Sequence, residues 1–169
     1  MNRKRLSLKW CLSNTKVSKL SRSYGKIVTF GLPAGYSESG FTVCPGMGAC
    51  ANVCFAKQGH YVQKAVKACR EHNLAFARRD LRSLVRAIIR DLGVLKARLV
   101  RVHDSGDFFS QAYLNAWYEV ARRLPGVKFY AYTKSLHLDL WSNKPENFSI
   151  TQSEGGKWDG DIDRDKSHS

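Results

Sequence analysis

The stretch Leu99-Val-Arg-Val-His-Asp-Ser-Gly-Asp-Phe-Phe-Ser110, continued through Gln111–Leu124 and Pro125-Gly126 to Val127-Lys-Phe-Tyr-Ala-Tyr132, decides the fold. Its first five residues are β-branched or extended in preference and predict a strand, Leu99–His103. Ser110 is a helix N-cap, the next fourteen residues carry helical apolar spacing, and Pro125-Gly126 stops them. Val127–Tyr132 is a second strand. A strand, a helix and a strand in that order make a right-handed βαβ unit, and two parallel neighbours in one sheet.

The same grammar extends outward. Upstream, Lys26-Ile-Val-Thr-Phe30 is a strand closed by Gly31-Leu32-Pro33. Val62, Ala65, Val66, Cys69, Leu74, Ala75 and Ala77 recur at helical spacing over about 61–79, with Cys69 expected in the core. Leu81, Leu84, Val85, Ile88, Ile89 and Leu92 form one stripe of a second helix, with Asp80 as N-cap and Gly93 as C-cap. Downstream, Asp139–Ser142 reads as a helical turn and Asn147–Gln152 as a last strand. Four strands are too few for a closed eight-strand barrel. The expected fold is α/β, either a partial (β/α) barrel or a small open, mostly parallel sheet. Its domains are a basic N-terminal arm over 1–25, one α/β domain over 26–156 and a polar tail over 157–169 without regular structure.

Composition narrows the setting. With 169 residues and 43% apolar content the chain can bury one core. Its 28 Lys and Arg against 14 Asp and Glu give a formal charge of +14, which favours polyanionic partners, nucleic acid first. No apolar run approaches the roughly 18 residues that span a bilayer, and no signal peptide is evident, so no membrane is expected and the cytoplasm is the expected compartment. Five cysteines would be reduced there, and three of them cluster, which points to metal rather than to disulfides.

Between Ala34 and Gly59 lies a long loop rich in Gly, Ser and Pro, holding Cys44-Pro-Gly-Met-Gly-Ala-Cys50-Ala-Asn-Val-Cys54. Thiolates are soft ligands for iron–sulfur clusters, zinc or copper(I). The C-x5-C-x3-C spacing lacks the paired C-x2-C of structural zinc sites, so Cys44, Cys50 and Cys54 are read as ligands of an iron–sulfur cluster, of the four-iron type. Zinc is the alternative, with Cys69, His60 or His103 as fourth ligand.

Ligands of parallel α/β folds sit at the carboxyl ends of the strands. That rule singles out His103, Asp104, Ser105, Gly106 and Asp107, then Thr133 and Lys134, then Gln152, Ser153 and Glu154 as ligand-binding candidates, with the cysteine loop at the same edge. Strand-end hydrogen bonding and helix capping by Asp107 or Ser110 are the plainer roles. Arg3, Lys4 and Arg5 of the arm, and Arg78, Arg82, Arg86 and Arg90 on the helices, are candidate phosphate contacts or a solvated face. Asp159, Asp161, Asp163 and Asp165 alternate like a calcium loop, but Arg164 stands where that loop needs Gly.

Leu12-Ser-Asn-Thr-Lys16, the Cys44…Cys54-Phe-Ala-Lys57 loop, Val100–Phe108 and Phe129–Lys134 together resemble the phage and mobile-element family called gene product 88 over roughly residues 10–156. The cysteine loop and strand ends of that family in turn look like a shortened radical S-adenosylmethionine domain. That resemblance implies Cys44, Cys50 and Cys54 as cluster ligands, S-adenosylmethionine as a cofactor, and Ser105-Gly106-Asp107 and Lys134 near it. Two expectations follow: an iron–sulfur protein of phage or plasmid type that binds nucleic acid or regulates, in the host cytoplasm, with or without a protein partner; or a minimal radical enzyme.

Overall fold

A computed structural model describes residues 6–12 and 25–166. Within them the chain is a mixed α/β fold on an open, five-stranded, mostly parallel sheet. In chain order the elements are β1 (Trp10–Cys11), β2 (Ile27–Phe30), α1 (Lys64–Arg79), α2 (Leu81–Leu95), β3 (Leu99–Val102), α3 (Gln111–Arg123), β4 (Lys128–Thr133) and β5 (Phe148–Gln152). The strands lie in the sheet in the same order. β1 runs antiparallel to β2, and β2 through β5 are parallel.

The apolar patterns explain the packing. On β3 and β4 alternate residues face the core, Val100 and Val102, then Phe129, Ala131 and Thr133, and all are nearly inaccessible to water. Leu84, Val85, Ile88 and Leu92 of α2 and Tyr113, Leu114, Trp117 and Val120 of α3 join them in one core. Asp80 caps α2 by accepting from the backbone N–H of Arg82 and Ser83, each at 3.0 Å. Ser110 Oγ accepts from Tyr113 N–H at 3.3 Å and caps α3.

Several local expectations are corrected. Gly93 does not end α2. The helix continues to Leu95, whose side chain reaches the core, and Lys96 takes the left-handed cap at φ 52°. Cys69 is exposed rather than packed, because α1 turns Arg70, Asn73, Leu74 and Ala77 inward instead. The segment before α1 is a 3₁₀ turn, Gly59–Val62. At 139–142 there is a turn and no helix: Asp139 Oδ1 accepts from Trp141 and Ser142 N–H at 3.2 and 3.0 Å.

β1 was not anticipated, and it fastens residues 6–12 to the fold. The buried Asp91 carboxylate accepts from Ser7 N–H (3.2 Å), Leu8 N–H (2.9 Å) and Trp10 Nε1–H (3.2 Å). Asn73 accepts from Lys9 N–H at 2.8 Å and donates to Lys9 C=O at 2.9 Å. Of the polar tail, residues 157–166 carry a 3₁₀ turn at Asp159–Asp161 and are tied back to β5 through Gln152. No helix among the described residues is long and apolar enough to cross a membrane.

Candidate functional site

At the carboxyl end of the parallel strands, a cavity of about 250 Å³ is lined by Cys44, Cys50 and Cys54 together with residues 103–107, Thr133, Lys134 and Ser153. The loop reaches this edge by close backbone contact. A Cβ on Gly46 would stand 2.0 Å from the Lys134 carbonyl oxygen, so only glycine lets the two backbones meet there. Cys50 N–H donates to Gly155 C=O at 3.0 Å, and Lys157 N–H to Gly46 C=O at 3.0 Å.

The three cysteines are half-buried and unpaired as disulfides. Gly35 N–H donates to Cys44 Sγ at 3.3 Å. Burial first, then the negative charge of Asp107, and lastly Cys54 and Cys50, push the Cys44 thiol up to about 12 against the pull of the Gly35 bond. Among the described residues, no three His, Cys, Asp or Glu side chains gather as ligands of one metal ion.

His103 follows β3 in the left-handed region at φ 69°, packed by the rings of Phe108, Tyr113 and Trp117. Its Nε2 is hydrogen-bonded to the Tyr113 hydroxyl at 2.9 Å, and its Nδ1 is buried without a partner. Burial lowers its pKa to about 3, so the ring is neutral at physiological pH. Asp104 is paired with Arg70 at 3.2 Å, both side chains nearly buried, and desolvation still outweighs Arg70 and Arg101 and raises its pKa. Gly31 permits this pair, since a Cβ there would lie 2.3 Å from Asp104 Oδ1.

Asp107 joins two strand ends. It accepts from Thr133 Oγ1–H (2.6 Å), Lys134 N–H (2.9 Å) and Phe108 N–H (2.8 Å). Desolvation raises its pKa against those donors. Ser105 Oγ is buried and without a partner. Two strand-end candidates stand apart. Gln152 is occupied by Asp163, donating to its C=O at 2.8 Å and accepting from its N–H at 3.0 Å. Glu154 is exposed and does not line the cavity.

The zinc alternates fare differently from one another. Cys69 and His60 are exposed and outside the cavity lining, whereas His103 is part of it. Arg3, Lys4 and Arg5 lie outside the described residues. Arg78, Arg82, Arg86 and Arg90 are exposed, but three are engaged: Arg78 stacks over Phe41 at 4.1 Å, Arg86 Nη2 donates to Ser83 Oγ at 2.8 Å, and Arg90 pairs with Asp91 at 2.9 Å and also bonds Ser7.

Sequence reasoning missed Arg70, and read Arg101 only as part of a phosphate-tracking surface and not as a residue of this cavity. Arg70 had no signal, because a cation on an amphipathic helix reads as solvated. Arg101 had one: it interrupts an apolar strand at an alternate position, and its Nε is buried without a partner beside the cavity.

Comparison with known proteins follows the same residues. The sequence model of a family described as Gene product 88 matches residues 5–168. Two relatives called Gene 88 protein, from Mycobacterium phage L5 and Mycobacterium phage D29, are 39% and 37% identical over 134 residues, 72% of this chain and 54% of theirs. The chain thus spans about half the length of the curated relatives it matches. No solved structure matches it.

Proposed function

The chain belongs to the gene product 88 family, and we propose that it is an iron–sulfur protein of that family with Cys44, Cys50 and Cys54 as the cluster's thiolates. One observation carries this reading: the three cysteines and the polar ends of β3, β4 and β5 line a single cavity. The donor set suits the group, being sulfur only. A four-iron cluster spreads its thiolates over separate irons, so its ligands need not converge on one point as they do around zinc.

The protein's own groups work toward the same end. Burial first, and then the negative charge of Asp107, hold the proton on Cys44. A cluster held by Cys44, Cys50 and Cys54 would need these thiols deprotonated, so its affinity would rise with pH. The Gly35 N–H to Cys44 Sγ bond is of the kind that tunes cluster potentials. Such a cluster supplies one-electron transfer and, where one iron lacks a protein ligand, an open coordination position.

The formal charge of +14 supports nucleic acid as the partner of this protein, acting in the host cytoplasm where thiols stay reduced. A second reading, a minimal radical S-adenosylmethionine enzyme, is favoured by His103, Asp104, Ser105 and Lys134 lining the cavity beside the cysteines. Formation of 5′-deoxyadenosine under reducing conditions distinguishes it from the first. A zinc protein is the third reading, with His103 as its remaining ligand candidate in the cavity.

Anaerobic purification tests the shared premise. Wild-type protein is expected to show broad sulfur-to-iron absorbance in the visible, and Cys50→Ala to lose it. Colourless wild-type protein carrying zinc, or no metal, would sink the cluster and the radical enzyme together.

A further inference from the structure

Parallel sheets are ordinarily covered on both faces, yet over β3–β5 the described residues cover this one on one face only. Opposite the core, β4 presents Lys128, Tyr130 and Tyr132, none of them buried. Arg101 of β3 lies beside Tyr130 in register, and Ser149 and Thr151 of β5 complete the face. Among the described residues no acid stands on these strands; Asp104, just beyond β3, feels the charge of Arg101 and is paired with Arg70. Tyr132 is 51% exposed, its ring 6.2 Å from that of Tyr130 and the Arg101 guanidinium 5.9 Å above its centre. Where the face ends at the strand starts, Lys128 N–H donates to Arg98 C=O at 2.9 Å and Arg98 N–H to Lys26 C=O at 2.8 Å. Lys26 and Arg98, which immediately precede β2 and β3, and Lys128, which opens β4, are thus three exposed cations along the edge where the strands start.

We propose that this open face binds a single strand of nucleic acid, with bases stacked on Tyr132 and Tyr130 and phosphates against Arg101, Lys128 and Arg98. Charge complementarity selects the partner: Arg101, Lys128 and Arg98 on a chain of formal charge +14. The aromatic rings select the single strand, because a duplex hides the base faces that stack on tyrosine. An anionic membrane would need apolar side chains to insert, and among the described residues of this face over β3–β5 Leu99 is the only aliphatic one. From Lys128 to Tyr132 the strand is about 13 Å long, enough for roughly two nucleotides. This rests on the nucleic-acid part of the proposed function and deepens it; Arg101 and Tyr132 also line the cysteine cavity, so the face adjoins the proposed cluster site.

The test is anisotropy of a labelled oligothymidylate and of a duplex of equal length, titrated with the full chain over a salt series. Wild type is expected to bind the single strand more tightly. Tyr132→Ala should weaken it by about fivefold to a hundredfold, Tyr132→Phe should restore it, and Lys128→Ala should reduce the salt slope by about 0.7. Circular dichroism establishes that each variant is folded. Equal or tighter duplex binding would overturn the proposal. So would wild-type affinity in Tyr132→Ala with a loss in Arg82→Ala/Arg86→Ala, which would move the interface to α2. No binding by the wild type would remove the nucleic-acid reading as well, and leave the cluster to be judged by its spectrum.

Discussion

His103 concentrates the chemistry of the site in one side chain. It is a non-glycine residue at φ 69°, buried, with one ring nitrogen bonded and the other not. A left-handed histidine is uncommon, and such conformations cluster at functional sites. In the unfolded chain the imidazole takes up a proton near pH 6.5, whereas in the fold it does so only near 3. Between these values the unfolded state binds more protons, so the contribution is present above pH 6.5 and lost as pH falls, at up to about 1.4 kcal/mol per pH unit. Asp104 and Asp107 act in the opposite sense: their raised pKa values favour the fold most below the ordinary carboxylate value and lose that contribution as pH rises. The difference between wild type and His103→Asn isolates the histidine, since Asn tolerates the left-handed backbone. Melting curves from pH 7 to 4 are expected to show a flatter decline in the variant; parallel declines would mean that His103 titrates normally. The sequence placed His103 at a strand end, but neither its positive φ nor its missing partner is written in local pattern. Both arise from contacts with residues distant along the chain.

Among the elements, the parallel strands and α2 and α3 were readable because their apolar residues repeat at periods that only one structure satisfies. β1 was not: two residues, Trp10-Cys11, have no period, and their place depends on Asp91 more than eighty positions away. Gly93 misled for a related reason. Glycine after an apolar stripe reads as a cap, but burial of Leu95 repays one further turn. Two glycine substitutions separate the roles this residue type takes here. Gly93→Ala meets nothing within 4 Å and should stabilise the helix by about 0.5–1 kcal/mol. Gly46→Ala would drive a Cβ against the Lys134 carbonyl, and should cost at least about 2 kcal/mol and displace the cysteine loop from β4. Chemical denaturation of both variants checks the pair. Equal stabilities would show that the loop does not dock as described.

For the whole molecule, the cysteine loop and the ends of β3, β4 and β5 come from segments spread over residues 44–153, and the parallel sheet brings them to one edge. The strand-end rule made that convergence legible from sequence for the cysteines, 103–107, Thr133, Lys134 and Ser153. It failed for Gln152, which the tail claims through Asp163, because the tail's course could not be read from its polar composition. Membership of the gene product 88 family, and the half-length overlap with its phage relatives, set the frame without assigning chemistry. The central claim is that Cys44, Cys50 and Cys54 hold an iron–sulfur cluster, and the most direct measurement is iron and acid-labile sulfide per chain in anaerobically prepared protein. About four of each are expected, falling to background in the triple Cys→Ala variant. Iron without sulfide, or iron and sulfide undiminished in the triple variant, would contradict it.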